Sequence, residues 1–206
     1  NRWLPEFDGK LIYASSVAAY GDSKDLLTED SPLRPTTPYG EDKAHCEEKV
    51  LAAGGIVVRE ASAYGHSPNM RFDTPINRMT RDGIITESCH VNGGKQLRTH
   101  IYLDDLCKLY RTLLTTDKDV KGQVFNAVGS VMSISALATK ISRLVDCEVR
   151  KHPATDSRSY MVSGEKAAKV LGFIPDWRID NGVLLMKGHS GGRQYADFSD
   201  ARMRML

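Results

Sequence analysis

Tyr39 and Lys43 stand four positions apart in "TPYGEDK". On a helix that spacing puts both side chains on one face. A free phenol ionises near pH ~10. Bringing it close to neutrality takes about 4 kcal/mol of preferential stabilisation of the phenolate, which a neighbouring ammonium can supply in a site shielded from water. A tyrosine held that way is a general acid or base at neutral pH. The same spacing is common on ordinary helix surfaces and decides nothing by itself. Ser16 adds to it: "GKLIYASS" is an apolar run ending in small polar residues, as a buried strand does at its open C-terminal edge. A hydroxyl at that edge can hydrogen-bond the reacting oxygen that the phenol serves.

The elements that must position these groups follow in order. The run "YGDSKDLLTEDSPLRPTTP" is rich in Pro, Asp, Ser and Thr and reads as a return loop. From Tyr39 to about Ala53 the pattern is helical, and Gly54 and Gly55 end it. "GIVVREASAYG" is expected as one second buried strand, so strand, helix and strand imply parallel pairing through a right-handed crossover. Residues 66–94 read as irregular and polar with helical fragments. "LRTHIYLDDLCKLYRTLLTT" passes from an extended piece into a helix with Leu103, Leu106, Leu109, Tyr110 and Leu113 along one face. Asp104 and Asp105 fall in its first turn, where the helix dipole favours anions, and are assigned to capping. "GQVFNAVG" reads as a further strand, "SISALATKISRLV" as a helix, and "SGEKAAKVLGF" as a short helix stopped by Gly172 and Pro175. The class is α/β: an open parallel sheet with a smaller C-terminal lobe, whose ligands belong at the carboxyl ends of the strands.

Composition narrows the partners. Lys and Arg total 28 against 26 Asp and Glu, a net charge of +2, too near neutrality for a nucleic-acid surface. No apolar run approaches the roughly 18 residues of a membrane span, and "NRWLPEFDGK" lacks the apolar core of a signal peptide, so no membrane partner and a cytoplasmic location are expected. Cys46, Cys89, Cys107 and Cys147 are far apart in the chain, without CxxC spacing, and read as reduced and mostly buried. The six histidines are dispersed with no HExxH, so no metal is expected.

Taken together, the motifs resemble the extended short-chain dehydrogenase/reductase family, specifically its NAD-dependent nucleotide-sugar epimerases and dehydratases. "LIYASSVAAYGD" is similar to the family's active-site serine strand, "TPYGEDK" to its tyrosine–lysine helix and "VVREASAYGHSP" to the strand and loop that follow. "MRFDTPINRM", "LRTHIYLDDL", "GQVFNAVGS" and "SRSYMVSGEKAAKVLGF" match later blocks in the right order. The resemblance implies the C-terminal half of a Rossmann-like sheet over residues 1–66 and a substrate-binding lobe over 67–206, with roughly 100–130 returning to the sheet. It implies Tyr39 as acid/base, Lys43 as the group that lowers its pKa and holds the nicotinamide ribose, and Ser16 on the sugar hydroxyl that is oxidised. Ala14 and Ser15 would line the cofactor with Tyr39 and Lys43. Ser16, Ser62, Asn77, Arg98 and Arg158 would bind a nucleotide-sugar, the arginines suiting a diphosphate because a guanidinium bonds two oxygens at once. Read from the residues alone, Asn77 can equally cap a helix and the two arginines can be solvated. NAD is the implied cofactor, with NADP left open, and a homodimer is the implied assembly.

Three departures qualify that expectation. Family dehydratases carry Asp-Glu after the active-site hydroxyl residue, whereas Val17 and Ala18 follow Ser16 here, which favours an epimerase or reductase. Ser62 stands where the family has asparagine. No glycine-rich phosphate turn occurs in the sequence, so these 206 residues are expected to be part of a longer protein and to bind NAD weakly alone, with a non-catalytic fragment as the alternative. The tail "GHSGGRQYADFSDARMRML" matches no block of the family and is expected to be mobile.

Overall fold

Apolar runs too short for helices form the central strands. The computed structural model describes residues 9–154 and 158–189. β1 (Ile12–Ser16), β3 (Ile56–Glu60) and β7 (Val124–Ala127) make a parallel sheet in the order β1-β3-β7. Ile12 lies opposite Ile56 and Ser16 opposite Glu60. The crossover from β1 to β3 is α1 (Pro38–Ala52). Proline begins this helix because its fixed φ suits a first turn and its missing N–H is not needed there. Thr37 caps it by accepting from the Gly40 N–H at 3.1 Å.

The single strand expected over "GIVVREASAYG" is two. β3 stops at Glu60, and β4 (Ser62–Tyr64) joins a second sheet with β6 (Leu97–Tyr102) and β8 (Ser130–Ser133). Only Ala61 separates the two pieces, with no glycine or proline between them, so the change of sheet leaves no turn signal in the sequence. Two short parallel pairs complete the strands: β2 (Leu26–Leu27), in the return loop, with β10 (Met161–Val162), and β5 (Ser88–Asn92) with β9 (Glu148–His152). Residues 66–94 are more regular than expected, because α2 (Pro75–Thr86) and β5 occupy most of the second half. Ile76 and Met79 bury one face of α2, while the charged residues between them and Gly83 mask the period in the sequence.

Two cores result. α3 (Leu103–Thr115) packs Leu106, Leu109 and Leu113 against Ile56, Val58 and Phe125 of the first sheet. Around the second, α4 (Ile134–Val145) and α6 (Ile179–His189) close over Tyr64, Ile76, Cys89 and Tyr102. The short helix α5 (Glu165–Leu171) ends at Gly172, at φ +68°, as expected from the sequence. Asp105 does not cap α3; it is buried and accepts from the N–H groups of Asp176 and Trp177 at 2.8 and 3.1 Å, tying down the approach to α6. Of the cysteines only Cys89 is buried and Cys107 is exposed, and the fold brings Cys89 and Cys147 within 3.2 Å despite their separation in sequence. Among the described residues no helix is long and apolar enough to cross a membrane, and no group of three or more His, Cys, Asp or Glu is placed to hold a metal. The tail from residue 190 lies outside the described residues.

Glu47 of α1 and Arg59 of β3 form an ion pair, with side chains 2% and 5% exposed. The Arg59 Nε and Nη2 both donate to the carboxylate, the closest contact being 2.7 Å. Ser15 Oγ donates to the same carboxylate. Arg59 Nη1 donates to Tyr20 Oη at 2.8 Å, and Tyr20 in turn donates to Asn126 of β7 at 2.8 Å. Removing one partner of a buried pair leaves the other charge uncompensated, which costs about 3–5 kcal/mol. Arg59→Met is therefore expected to lower the unfolding free energy by about that amount in urea titration, far more than an exposed arginine change.

Candidate active site

Three elements converge at the carboxyl edge of the first sheet. Ser16 ends β1 and caps a 3-10 turn over Val17–Tyr20, its Oγ accepting from the Ala18 N–H at 3.2 Å. The hydroxyl proton is left to donate. Gly40 lets the first turn of α1 press on that 3-10 turn: a Cβ there would lie 2.7 Å from the Ala18 carbonyl oxygen and 3.0 Å from Pro35 Cβ. Any larger residue would push Tyr39 away from the β1 edge.

Tyr39, Lys43 and Glu47 follow one another at single-turn intervals along α1. Lys43 Nζ donates to the Ala14 carbonyl at 2.7 Å and lies 5.6 Å from the Tyr39 ring centroid. The spacing seen in the sequence is thus a contact between ammonium and aromatic ring. Tyr39 is 54% exposed and Ala14 is exposed beside it, so this edge is open to a ligand. Ser15, expected to face the cofactor, instead directs its hydroxyl into the interior onto Glu47 and is 2% exposed. Alternation along the strand explains this, since Ser15 and Ser16 point to opposite faces.

The expected substrate residues divide. Ser62, Arg98 and Arg158 line one open cleft of ≈ 330 Å³ together with Arg78, His90 and Asn92. Arg98 stacks its guanidinium 5.2 Å from the centroid of Tyr160 and donates to the Arg158 backbone carbonyl. Asn77 is elsewhere: it is 3% exposed, accepts from the Gly65 N–H at 3.0 Å and donates to the Arg71 carbonyl at 2.8 Å. Its amide holds the loop between β4 and α2. The residue beside it, Arg78, reaches the cleft and was not singled out by the sequence. The cleft carries three arginines against the one carboxylate of Asp73. Sequence reasoning also missed Glu47, although its place one turn beyond Lys43 was a signal. It missed Glu60, whose carboxyl accepts from Tyr110 at 2.6 Å and is pushed up by burial.

A parallel sheet that presents a serine at one strand end, with a tyrosine and a lysine one helical turn apart beside it, defines a Rossmann-like protein of the extended short-chain dehydrogenase/reductase kind. The chain belongs to the NAD dependent epimerase/dehydratase family, whose model matches residues 3–127. It is 30% identical over 195 residues to a UDP-glucose 4-epimerase of Lactobacillus helveticus, covering 80% of this chain and 58% of that protein. A UDP-glucose 4-epimerase of Corynebacterium glutamicum is 25% identical over 191 residues, with 81% and 58% covered. The chain therefore spans less than two thirds of the length of these relatives. Among solved structures, MoeE5 in complex with UDP-glucuronic acid and NAD superposes with a TM-score of 0.78 at 25% identity, covering 88% of this chain and 64% of that one. The dTDP-glucose 4,6-dehydratase of Bacillus anthracis str. Ames in complex with NAD shares the fold, with a TM-score of 0.80 at 21% identity, 91% of this chain and 64% of that one.

His100 lies opposite Ser62 in the β4/β6 register, fully buried. Among the described residues neither ring nitrogen has a hydrogen-bond partner, and burial pushes the imidazole down from 6.5 to about 4. The unfolded chain takes up a proton below pH ~6.5 and the folded one does not until near 4. Stability is thus complete above ~6.5 and falls as the pH drops through that window, by roughly 3 kcal/mol at its acid end. His100→Phe is expected to raise Tm at pH 7 by about 3 °C, because two unsatisfied polar atoms leave the core, and to flatten the loss between pH 6.5 and 4. Thermal melts across that range check both.

Proposed function

We propose that the protein containing this chain is an NAD-dependent nucleotide-sugar epimerase, cytoplasmic and homodimeric, with no nucleic-acid or membrane partner. The observation that carries the reading is the meeting of Ser16, Tyr39 and Lys43 at one sheet edge. Tyr39 takes the proton from a sugar hydroxyl and returns it. Lys43 stabilises the phenolate, and Ser16 donates to the sugar oxygen while the proton is in transit. The exposed Ala14 backbone and the Lys43 ammonium fit the nicotinamide ribose end of NAD, while the glycine-rich turn for its pyrophosphate is not found in these 206 residues. When bound, NAD supplies reversible hydride uptake from the sugar carbon. The arginines of the cleft, Arg98 and Arg158 with Arg78, suit the diphosphate, and Ser62 lies on the same wall.

Val17 and Ala18 favour epimerisation over dehydration. They occupy the turn directly after Ser16, where a dehydratase of this family places its acidic pair, and Val17 is buried. A reductase and a non-catalytic fragment are the remaining readings. Proton NMR of UDP-glucose incubated with NAD and the full-length protein separates them. Conversion to the 4-epimer supports the proposal, and a 4-keto-6-deoxy product, or net stoichiometric reduction of NAD with oxidation of the sugar, contradicts it. Tyr39→Phe is expected to lower kcat at least ~100-fold without lowering Tm by more than about 2 °C, as loss of a general acid/base does; undiminished turnover removes Tyr39 from the mechanism.

A further inference from the structure

Cys89 and Cys147 are 58 positions apart in the chain, yet their sulfurs lie 3.2 Å from each other. The register of β5 and β9 accounts for this. Cys89 stands opposite Val149, and Cys147 precedes Val149 by two residues, so both side chains project from one face of the sheet. The Cys147 N–H donates to the Ser142 carbonyl at 3.0 Å, which fixes its backbone at the end of α4. Both sulfurs rest on α2 at Gly83, where a Cβ would lie 2.9 Å from the Cys147 Sγ and 3.3 Å from the Cys89 Sγ. The missing side chain at 83 is what leaves room for the pair. The two thiols differ in access. Cys89 is 0% exposed and donates to the Met79 carbonyl at 3.3 Å. Burial, and then the hydrogen bond with Cys147, hold its thiol in the protonated form. Cys147 instead lines an open cleft of ≈ 400 Å³ together with Glu87, Asp146, Glu148 and Arg150.

We propose that Cys89 and Cys147 are a modification site, a thiol pair that a peroxide converts to a disulfide, with Cys147 taking the oxidant and Cys89 closing the bond. Three carboxylates around the opening repel an anionic oxidant such as glutathione disulfide, so a small uncharged peroxide fits the site better. The Cys147 sulfur attacks one peroxide oxygen, the O–O bond breaks, and water leaves a sulfenic acid behind. The Cys89 sulfur then attacks the sulfenic sulfur. The S–S bond forms, the S–O bond breaks, and the departing hydroxyl takes the Cys89 proton as a second water. Two thiols are oxidised and one peroxide is reduced to two waters. From 3.2 Å the sulfurs must approach by about 1.2 Å to reach bonding distance, a movement that side-chain rotation supplies. The bond fastens the start of β5 to the end of α4. His90 and Asn92, which follow Cys89 on β5, line the cationic cleft, so the crosslink fixes a strand of its wall. The inference stands independently of the epimerase reading.

The test exposes the folded full-length protein to millimolar hydrogen peroxide, blocks the remaining thiols with N-ethylmaleimide, and reads unreduced tryptic peptides by mass spectrometry. Cys89 and Cys147 fall in separate peptides, residues 82–95 and 144–150. The two are expected joined in most of the protein, two hydrogens lighter than their sum, and a small dithiol reductant is expected to part them. Cys107, exposed on α3, is the internal comparison and is expected to join neither peptide. In Cys89→Ser, dimedone is expected to trap Cys147 as its sulfenic acid, whereas Cys147→Ser keeps Cys89 as a thiol. Peptides that remain separate at the dose that oxidises Cys107 overturn the proposal. So does a crosslink that forms only after unfolding in urea, or one that Cys107 makes as readily. Oxidation of Cys89 in Cys147→Ser overturns the order of the two steps. The wild-type arm needs no variant to fold, so it decides the pairing by itself.

Discussion

Everything at the carboxyl edge of the first sheet depends on one buried contact, the ion pair between Glu47 and Arg59. Burying two charges is costly unless geometry and further hydrogen bonds satisfy them. Here the fork of Arg59 covers the carboxylate, Ser15 adds a third donor, and Tyr20 takes the remaining guanidinium edge. Such a pair tolerates little displacement, so it sets the register of α1 against β1 and β3. Lys43 and Tyr39 lie one and two turns away on the same helix stripe, and Ser16 is the next residue after Ser15. The contact thus holds all three groups without touching any of them.

A second constraint comes from close packing. Gly40 allows the first turn of α1 to meet the carbonyl of Ala18, and Asn77 pins the loop that leads from β4 into the cationic cleft. The two sheets share the continuous segment of β3 and β4, so the edge that carries Ser16, Tyr39 and Lys43 and the cleft are joined by one residue, Ala61. A ligand with a reacting sugar at one end and a diphosphate at the other would span that junction. The Asp105 carboxylate plays a similar part on the far side, fixing the start of α6 through two backbone N–H groups.

Much of this was legible in the residues. The strand, helix, strand order and the Tyr39–Lys43 face follow from local periodicity, which the backbone obeys wherever a run is strongly patterned. The break at Ala61 was not legible, because two consecutive strands in different sheets with no turn residue between them look like one. α2 was hidden because charged residues fill its outer face and Gly83 interrupts it. The resemblance gave Asn77 and Ser15 to ligands, whereas burial turns both side chains to internal partners. Arg78, Glu47 and Glu60 went unnoticed for the converse reason. Their roles depend on which face of a helix or strand they occupy and on partners tens of residues away, and a surface charge run looks the same in sequence. Ser62, Arg98 and Arg158, which the resemblance gave to a ligand, line one cleft.

Amide hydrogen exchange in wild-type and Arg59→Met protein tests most directly whether the Glu47–Arg59 pair holds this edge together. Exchange reports the free energy of local opening segment by segment. The account predicts that residues 12–16 and the first turn of α1 open as one unit with β3, and that Arg59→Met speeds all three together while β4, β6 and β8 keep their protection. If the first turn of α1 instead exchanges independently of β1, or Arg59→Met leaves both unchanged, the pair does not organise the site.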